Sequence, residues 1–266
     1  MPLGPGRQLI DENGAPYGLK HVDNKLRVSD IPYLYDIAEG NVPNHESVSK
    51  FGHNADVGAS VEEVWDGSAS YVFMSAASTL YLSSDNAGDD QDYIVYGLDA
   101  NWDAQSATVT ANGKSFVAIE GTWIRVFRVI NQGTTDNAGN IYVSDSNTDA
   151  GGDGIPDTAT AIKAKILAGL NQTMMAIWSV PDDYTAYLVS YYASTNSSKA
   201  TDVYLMVRPF GGVFQVKKLI TVYAGAQQIR YDFPLSIAAK SDVVIRAAAT
   251  GGGGKVSAGF DIWYEK

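Results

Sequence analysis

The chain has 266 residues, a formal net charge of −11 and 45% hydrophobic residues, the composition of a globular protein with an acidic surface and room for one large all-β domain or two small ones. Its basic residues are scattered, and Lys217-Lys218 is the only close basic pair, which excludes the basic patch needed against nucleic acid or an anionic membrane. The absence of cysteine excludes disulfides, thiolate nucleophiles and thiolate metal sites.

The opening MPLGPGRQLIDENG lacks the apolar core of a signal peptide, and no apolar run approaches the roughly 18 residues of a membrane span. The expectation is a soluble protein made in the cytoplasm. Residues 1–50 are rich in breakers, among them Pro2, Pro5, Gly14, Pro16, Pro32, Gly40 and Pro43, and carry no sustained hydrophobic period. Asn13-Gly14 is suited to turning a small hairpin between Gln8–Ile10 and Tyr17–Leu19. The most apolar part runs from Ile31 to Gly40. This segment is expected to be an extended N-terminal arm, with Tyr33, Leu34, Tyr35 and Ile37 docking it on a neighbouring subunit or partner.

The stretch from Phe51 to Phe73 changes the character of the chain. A polar, glycine-punctuated lead-in reaches the acidic turn Glu62-Glu63-Val64-Trp65-Asp66-Gly67, and an alternating strand is expected from Tyr71. Period-2 segments then recur. Thr79–Ser84 and Tyr93–Leu98 flank the polar loop 85–91. Thr108–Ala111 and Phe116–Ile119 flank Asn112-Gly113, a strong two-residue hairpin signal. Trp123–Ile130 alternates, with Arg125 out of strict phase. Further strands are expected at Gly139–Val143, Thr160–Leu170 (where a short helix is the alternative), Thr173–Val180 and Tyr184–Tyr192. Asp202–Arg208 and Val213–Lys217 flank Pro209–Gly212. Then follow Leu219–Tyr223, Gln228–Phe233, Asp242–Ala247, a glycine tip at 251–254 and Val256–Tyr264.

About fourteen strands with turn signals roughly every ten residues predict an all-β fold. The expected architecture is an antiparallel β-sandwich, jelly-roll-like, with the arm at 1–50 and a body at 51–266. The body is open to division into two packed sub-sandwiches near 131–140.

The residues give little support to catalysis. His21, His45 and His53 all lie in or beside the arm, no G-x-S-x-G occurs, and nothing singles out a carboxylate pair of the kind a glycosidase uses. One stretch has metal-ligand spacing. Asp145, Asn147, Asp149 and Asp153 alternate along the glycine-rich DSNTDAGGDGIPD, a pattern whose oxygens can converge on Ca²⁺. It departs from an EF-hand, with Ala150 in place of the glycine and Pro156 in place of the bidentate glutamate, and the plain alternative is a solvated acidic hairpin loop. The second acidic loop, Asp85–Asp92, reads as a solvated strand connection. Trp65, beside Glu62, Glu63 and Asp66, suits either a sugar-stacking platform or an anchor where the arm meets the body, and the anchor is expected; Trp102 reads the same way.

Several of these pieces, taken in order, resemble a family of tailed-bacteriophage virion structural proteins abundant among marine and environmental phages. They are Tyr35–Asn41, Phe51-Gly-His-Asn54 with Val64–Gly67, Tyr96–Asp99 followed by the Thr108–Gly113 hairpin, Gln172–Pro181, Tyr191–Ala193, Arg208-Pro209 with Gly212–Phe214, and Lys240–Asp242. The resemblance runs from about residue 10 to the end, and its specificity lies in the order of the pieces. It implies a non-enzymatic particle component that needs no cofactor, with calcium at the 145–157 insertion a peculiarity of this chain. The implied role is decoration or cementing of the capsid shell through the arm. Implied partners are the major capsid protein or other virion proteins, with self-association, for which a trimer is one form, and no nucleic acid or membrane contact. The location is the virion, assembled in the host cytoplasm. A tail, neck or fibre-base component and a host-glycan-binding module are the rival readings.

Overall fold

The computed structural model describes residues 21–22, 25–26, 33–67 and 70–266. In chain order the elements are β1 (His21–Val22), β2 (Lys25–Leu26), α1 (Tyr33–Ala38), β3 (His45–Val57), β4 (Glu62–Glu63), β5 (Ser78–Ser84), β6 (Asp92–Leu98), β7 (Ala104–Thr110), β8 (Val117–Trp123) and β9 (Arg125–Asn131). They continue with β10 (Ile141–Ser144), a 3₁₀ turn at Ala159–Ala161, β11 (Ile162–Ile166), β12 (Ile177–Ser179), β13 (Thr185–Thr195), β14 (Thr201–Arg208), β15 (Gln215–Val222), β16 (Gly225–Ile237), β17 (Asp242–Ala249) and β18 (Gly254–Glu265). The fold is all-β and antiparallel, as the alternation predicts.

Two sandwiches are nested rather than laid end to end. The first is built only from consecutive strands, with sheet β11-β10-β5-β8 packed on sheet β7-β6-β9. The second takes strands from both sides of it. Sheet β12-β17-β14-β15, with β4 added to β17, packs on sheet β16-β13-β18-β3. The first sandwich is therefore an insertion between β4 and β12. The expected division near 131–140 falls inside the first sandwich, because β10 returns to pair with β5 and β11 pairs with β10, completing its sheet.

The alternation of β13, β14 and β18 explains the second core. Leu188, Tyr191, Val203, Leu205, Phe260 and Val256 are all fully buried between the sheets. Trp123, Tyr93, Leu80 and Leu82 do the same in the first core. Phe127 packs against both.

Several local expectations are revised. Tyr71–Phe73 forms no strand. Tyr71 is buried where the chain crosses between sandwiches, its amide bonded to Glu63 Oε2 at 3.2 Å and its hydroxyl donating to the Val126 carbonyl at 3.3 Å. Asn112-Gly113 is not a hairpin turn but a corner, since β7 pairs with β6 and β8 pairs with β5. Gly113 is held there at φ 54° by bonds to Asp89 and Ser84, with the Ala87 backbone too close to admit a β-carbon. Val213–Lys217 and Leu219–Tyr223 merge into one strand, β15, with a register shift opposite Leu205/Met206. The arm also ends earlier than its breakers suggest. His45–Lys50 belong to β3 and pair with Phe260–Glu265, and Lys50 is buried at the junction of the sandwiches. The Asn13-Gly14 hairpin lies outside the described residues.

Candidate interaction site

The sheet β16-β13-β18-β3 has one face in the second core and one face outward. Its outward face carries a groove of about 710 Å³, closed at one side by α1. Register defines its floor. Ser49, Asp261, Ser190 and Arg230 stand in one row across the four strands, and the next row holds Ser47, Trp263, Tyr187 and Ser236. A register shift between Leu188 and Ser190 inserts Val189 as an extra residue, so both Val189 and Ser190 reach the groove. Tyr187 and Trp263 stack at 4.2 Å, and His45 stacks on the other side of Trp263 at 5.5 Å. Glu265 ties this end together, accepting from the Tyr187 hydroxyl at 2.9 Å and pairing with His45 Nε2 at 2.8 Å. The bond to Glu265 raises the Tyr187 pKa above the usual phenol value.

The opposite wall is β16, an edge strand that is exposed along most of its length. Tyr231 of this strand turns its side chain onto the second core and not into the groove, and its hydroxyl is shut from solvent with no hydrogen-bond partner among the described residues. Burial pushes that phenol up to about 12. Asp261 accepts a bond from the Ser190 hydroxyl.

Of the expected docking residues, Leu34 and Ile37 sit at this groove and Tyr35 does not line it. Ile37 is 3% exposed and packs on its own body, which corrects its assignment as a free docking residue, whereas Leu34 is 47% and Tyr35 63% exposed. Leu34 and Ile37 line the groove from α1, one helical turn apart. The side chain of Tyr33 lies outside what the structure describes.

The acidic loop between β10 and β11 spends its carboxylates at home. Asp145 pairs with the buried Lys163 at 3.1 Å. Asp149 accepts from the amides of Gly154 and Asp153 at 2.8 and 3.2 Å, and these bonds hold its pKa below the usual carboxylate value. Asp153 accepts from Ile155 at 3.0 Å, and Asp157, which spacing did not single out, accepts from Ala150. Asn147 makes none of these bonds. Among the described residues no group of three or more His, Cys, Asp or Glu side chains is gathered as a metal site.

The 85–92 loop is not simply solvated. Asp89 is completely buried and accepts from the Ser84 hydroxyl at 2.6 Å and the amides of Ala138 and Gly139 at 2.7 and 2.9 Å. Its position in a run of polar residues conceals this. Trp65 is 2% exposed and packs edge-on against Tyr71 at 5.2 Å, so it is an anchor at the crossing between sandwiches and not a platform. Trp102 is also buried, under the Arg125 guanidinium at 4.5 Å.

No protein-family model matches the chain, and no curated protein is similar to it. Among solved structures, the PBSX exported protein XepA aligns over 98% of this chain and 100% of its own at 11% identity, with a TM-score of 0.19. The infectious bursal disease virus VP2 subviral particle aligns over 88% and 82% at 10% identity, with a TM-score of 0.18. A secreted protein of Parabacteroides distasonis aligns over 85% and 90% at 9% identity, with a TM-score of 0.17. Scores this low do not establish a shared fold.

Proposed function

We propose that the protein is a non-enzymatic structural component of a bacteriophage virion, decorating or cementing the capsid shell through its N-terminal arm. The ordered family resemblance in the sequence supports the particle role. The observation that carries the attachment mode is the root of the arm. Ile37 is buried against the body while Leu34 and Tyr35, three and two residues before it, are exposed. A short helix so anchored presents apolar side chains outward at a fixed place on the body, as an attachment point requires. The partner is the shell's major capsid protein, and self-association on the shell follows its symmetry.

The test is reconstitution. Particles lacking the protein are mixed with the wild-type chain and with the double variant Leu34→Asp/Tyr35→Asp, whose changes lie on exposed positions and leave Ile37 in place. Many copies bound per particle for the wild type, and at least tenfold weaker binding for the variant, are expected. Equal binding overturns the arm as the attachment. Six or twelve copies per particle places the protein at the tail or its vertex instead. A truncation at Ser49 is unsuitable, because it removes the first four residues of β3.

A further inference from the structure

The rims of the two sandwiches are not alike. In the first, β7 lies beside β8 and β11 beside β9, so both rims are closed. In the second, one rim is closed where the His53 amide of β3 donates at 3.4 Å to the Met174 carbonyl, just before β12. The other rim holds β15 and β16, the edge strands of its two sheets. They stand side by side, with Lys218 Nζ 5.6 Å from the centre of the Tyr231 ring. Among the described residues, the backbone groups of β15 bond only to β14 and those of β16 only to β13, which leaves a row of donors and acceptors open on each strand. Pro234, which has no amide to offer, ends the usable part of β16 and leaves 225–232, a stretch as long as β15.

The same rim carries apolar surface. Val216, Leu219, Tyr223 and Phe233 are 52%, 48%, 64% and 90% exposed. For side chains of this size that is on the order of 500 Å² of apolar area. A standard interface takes about 800 Å² from each partner, about 60% of it apolar, so the rim supplies about what one such interface needs.

We infer that this rim is the interface of a symmetric dimer, in which β15 of each copy pairs with β16 of the other. A peptide would fill one edge and leave the second open, whereas a second copy fills both at once. Two two-fold arrangements do this. An axis normal to the sheets sets β15 on β15 and β16 on β16, and an axis along the strands sets β15 on β16 twice. The first brings Lys217 and Lys218 against the same pair, and like charges face to face are destabilising. The second sets them against a strand carrying both Arg230 and Asp232, so charge selects it. The contact is isologous and closes at two copies. The inference concerns the free chain and does not depend on the particle role.

Sedimentation equilibrium of the full-length chain from 1 to 100 μM tests it. A dimer is expected for wild type and for Leu34→Asp/Tyr35→Asp. At least tenfold weaker association, with wild-type Tm, is expected for Leu219→Asp/Phe233→Asp, whose changes lie on exposed positions. A monomeric wild type at 100 μM, a trimer or larger assembly, or undiminished association of Leu219→Asp/Phe233→Asp overturns the inference. The absence of native cysteine allows the pairing to be read directly. Leu219→Cys chains mixed with Gln228→Cys chains and oxidised are expected to link to each other. Leu219→Cys chains that link to themselves instead place β15 on β15 and overturn the arrangement.

Discussion

Arg125 and Asp242, 117 residues apart in sequence, form a two-pronged ion pair, with Nε–Oδ1 at 2.7 Å and Nη2–Oδ2 at 3.1 Å. Both are almost fully buried, Arg125 on the first strand segment after the Ile124 break and Asp242 at the start of β17. The pair joins the inserted sandwich to its host. Asp242 also accepts from Arg208 and from the Ser179 hydroxyl at 2.5 Å, and Arg125 donates to the Met74 and Ile124 carbonyls. The Phe73 ring lies against both guanidinium groups, 5.2 Å from Arg125 and 4.6 Å from Arg208.

Asp242→Ala strands two guanidinium groups at the junction, one of them deeply buried. Removing one partner of a buried pair costs about 3–5 kcal/mol. Urea denaturation of Asp242→Ala is expected to show that loss, while Arg125→Met/Asp242→Leu, which removes the buried pair itself, loses less than the single variant. A single variant within about 1 kcal/mol of wild type contradicts the latch.

Asp89 predicts a second large effect in an unpromising sequence context. Asp89→Ala leaves the Ser84 hydroxyl and the amides of Ala138 and Gly139 without an acceptor inside the first sandwich. Each such loss costs about 1–3 kcal/mol. Its neighbour Asp90 is exposed, and Asp90→Ala is expected to stay within about 0.5 kcal/mol of wild type. Thermal melts of the two variants side by side measure the contrast, and similar melting points refute it.

Asp66 sets a pH dependence. Burial pushes its carboxyl up to about 7, against the opposing amide of Met174 and the charges of Lys165 and Lys50. The unfolded carboxyl titrates near about 3.9. Between those values the folded state holds the proton more tightly, so this group's contribution to stability is greatest at low pH and falls as pH rises from about 4 to about 7. The slope is on the order of 1.4 kcal/mol per pH unit in mid-window. The difference in unfolding free energy between wild type and Asp66→Asn is expected to move by that amount against pH and to flatten above about 7. A difference that is constant across the window excludes the shift.

Gly52 is a packing constraint within β3. A β-carbon there falls 2.1 Å from the Val64 carbonyl oxygen and 2.5 Å from the Ala176 amide, both backbone atoms where the chain leaves and re-joins the second sandwich. Gly52→Ala is expected to cost about 1–3 kcal/mol by overpacking. Gly211, with open space around it but φ at 71°, should lose only about 1 kcal/mol on the same change. Chemical denaturation of both variants checks the order, and an insensitive Gly52 contradicts the close approach.

Alternation along β13, β14, β17 and β18 was enough to establish an all-β fold and most of its strands, because a half-buried strand writes its two faces into every second residue. The apolar Ile31–Gly40 patch was legible too, but as part of an extended arm; that Tyr33–Ala38 is a short helix beside a groove was not. The Arg125 phase break was visible too, but its partner was not, since nothing local to Asp242 distinguishes it from any aspartate at a strand start. Nesting of one sandwich inside the other, the Asn112-Gly113 corner, the burial of Asp89 and the four-strand row from Ser49 to Arg230 were all decided by the tertiary structure. Each depends on which strand lies beside which, and that choice is made by long-range packing and register between segments as far apart in sequence as His45 and Glu265, not by the period of any one of them.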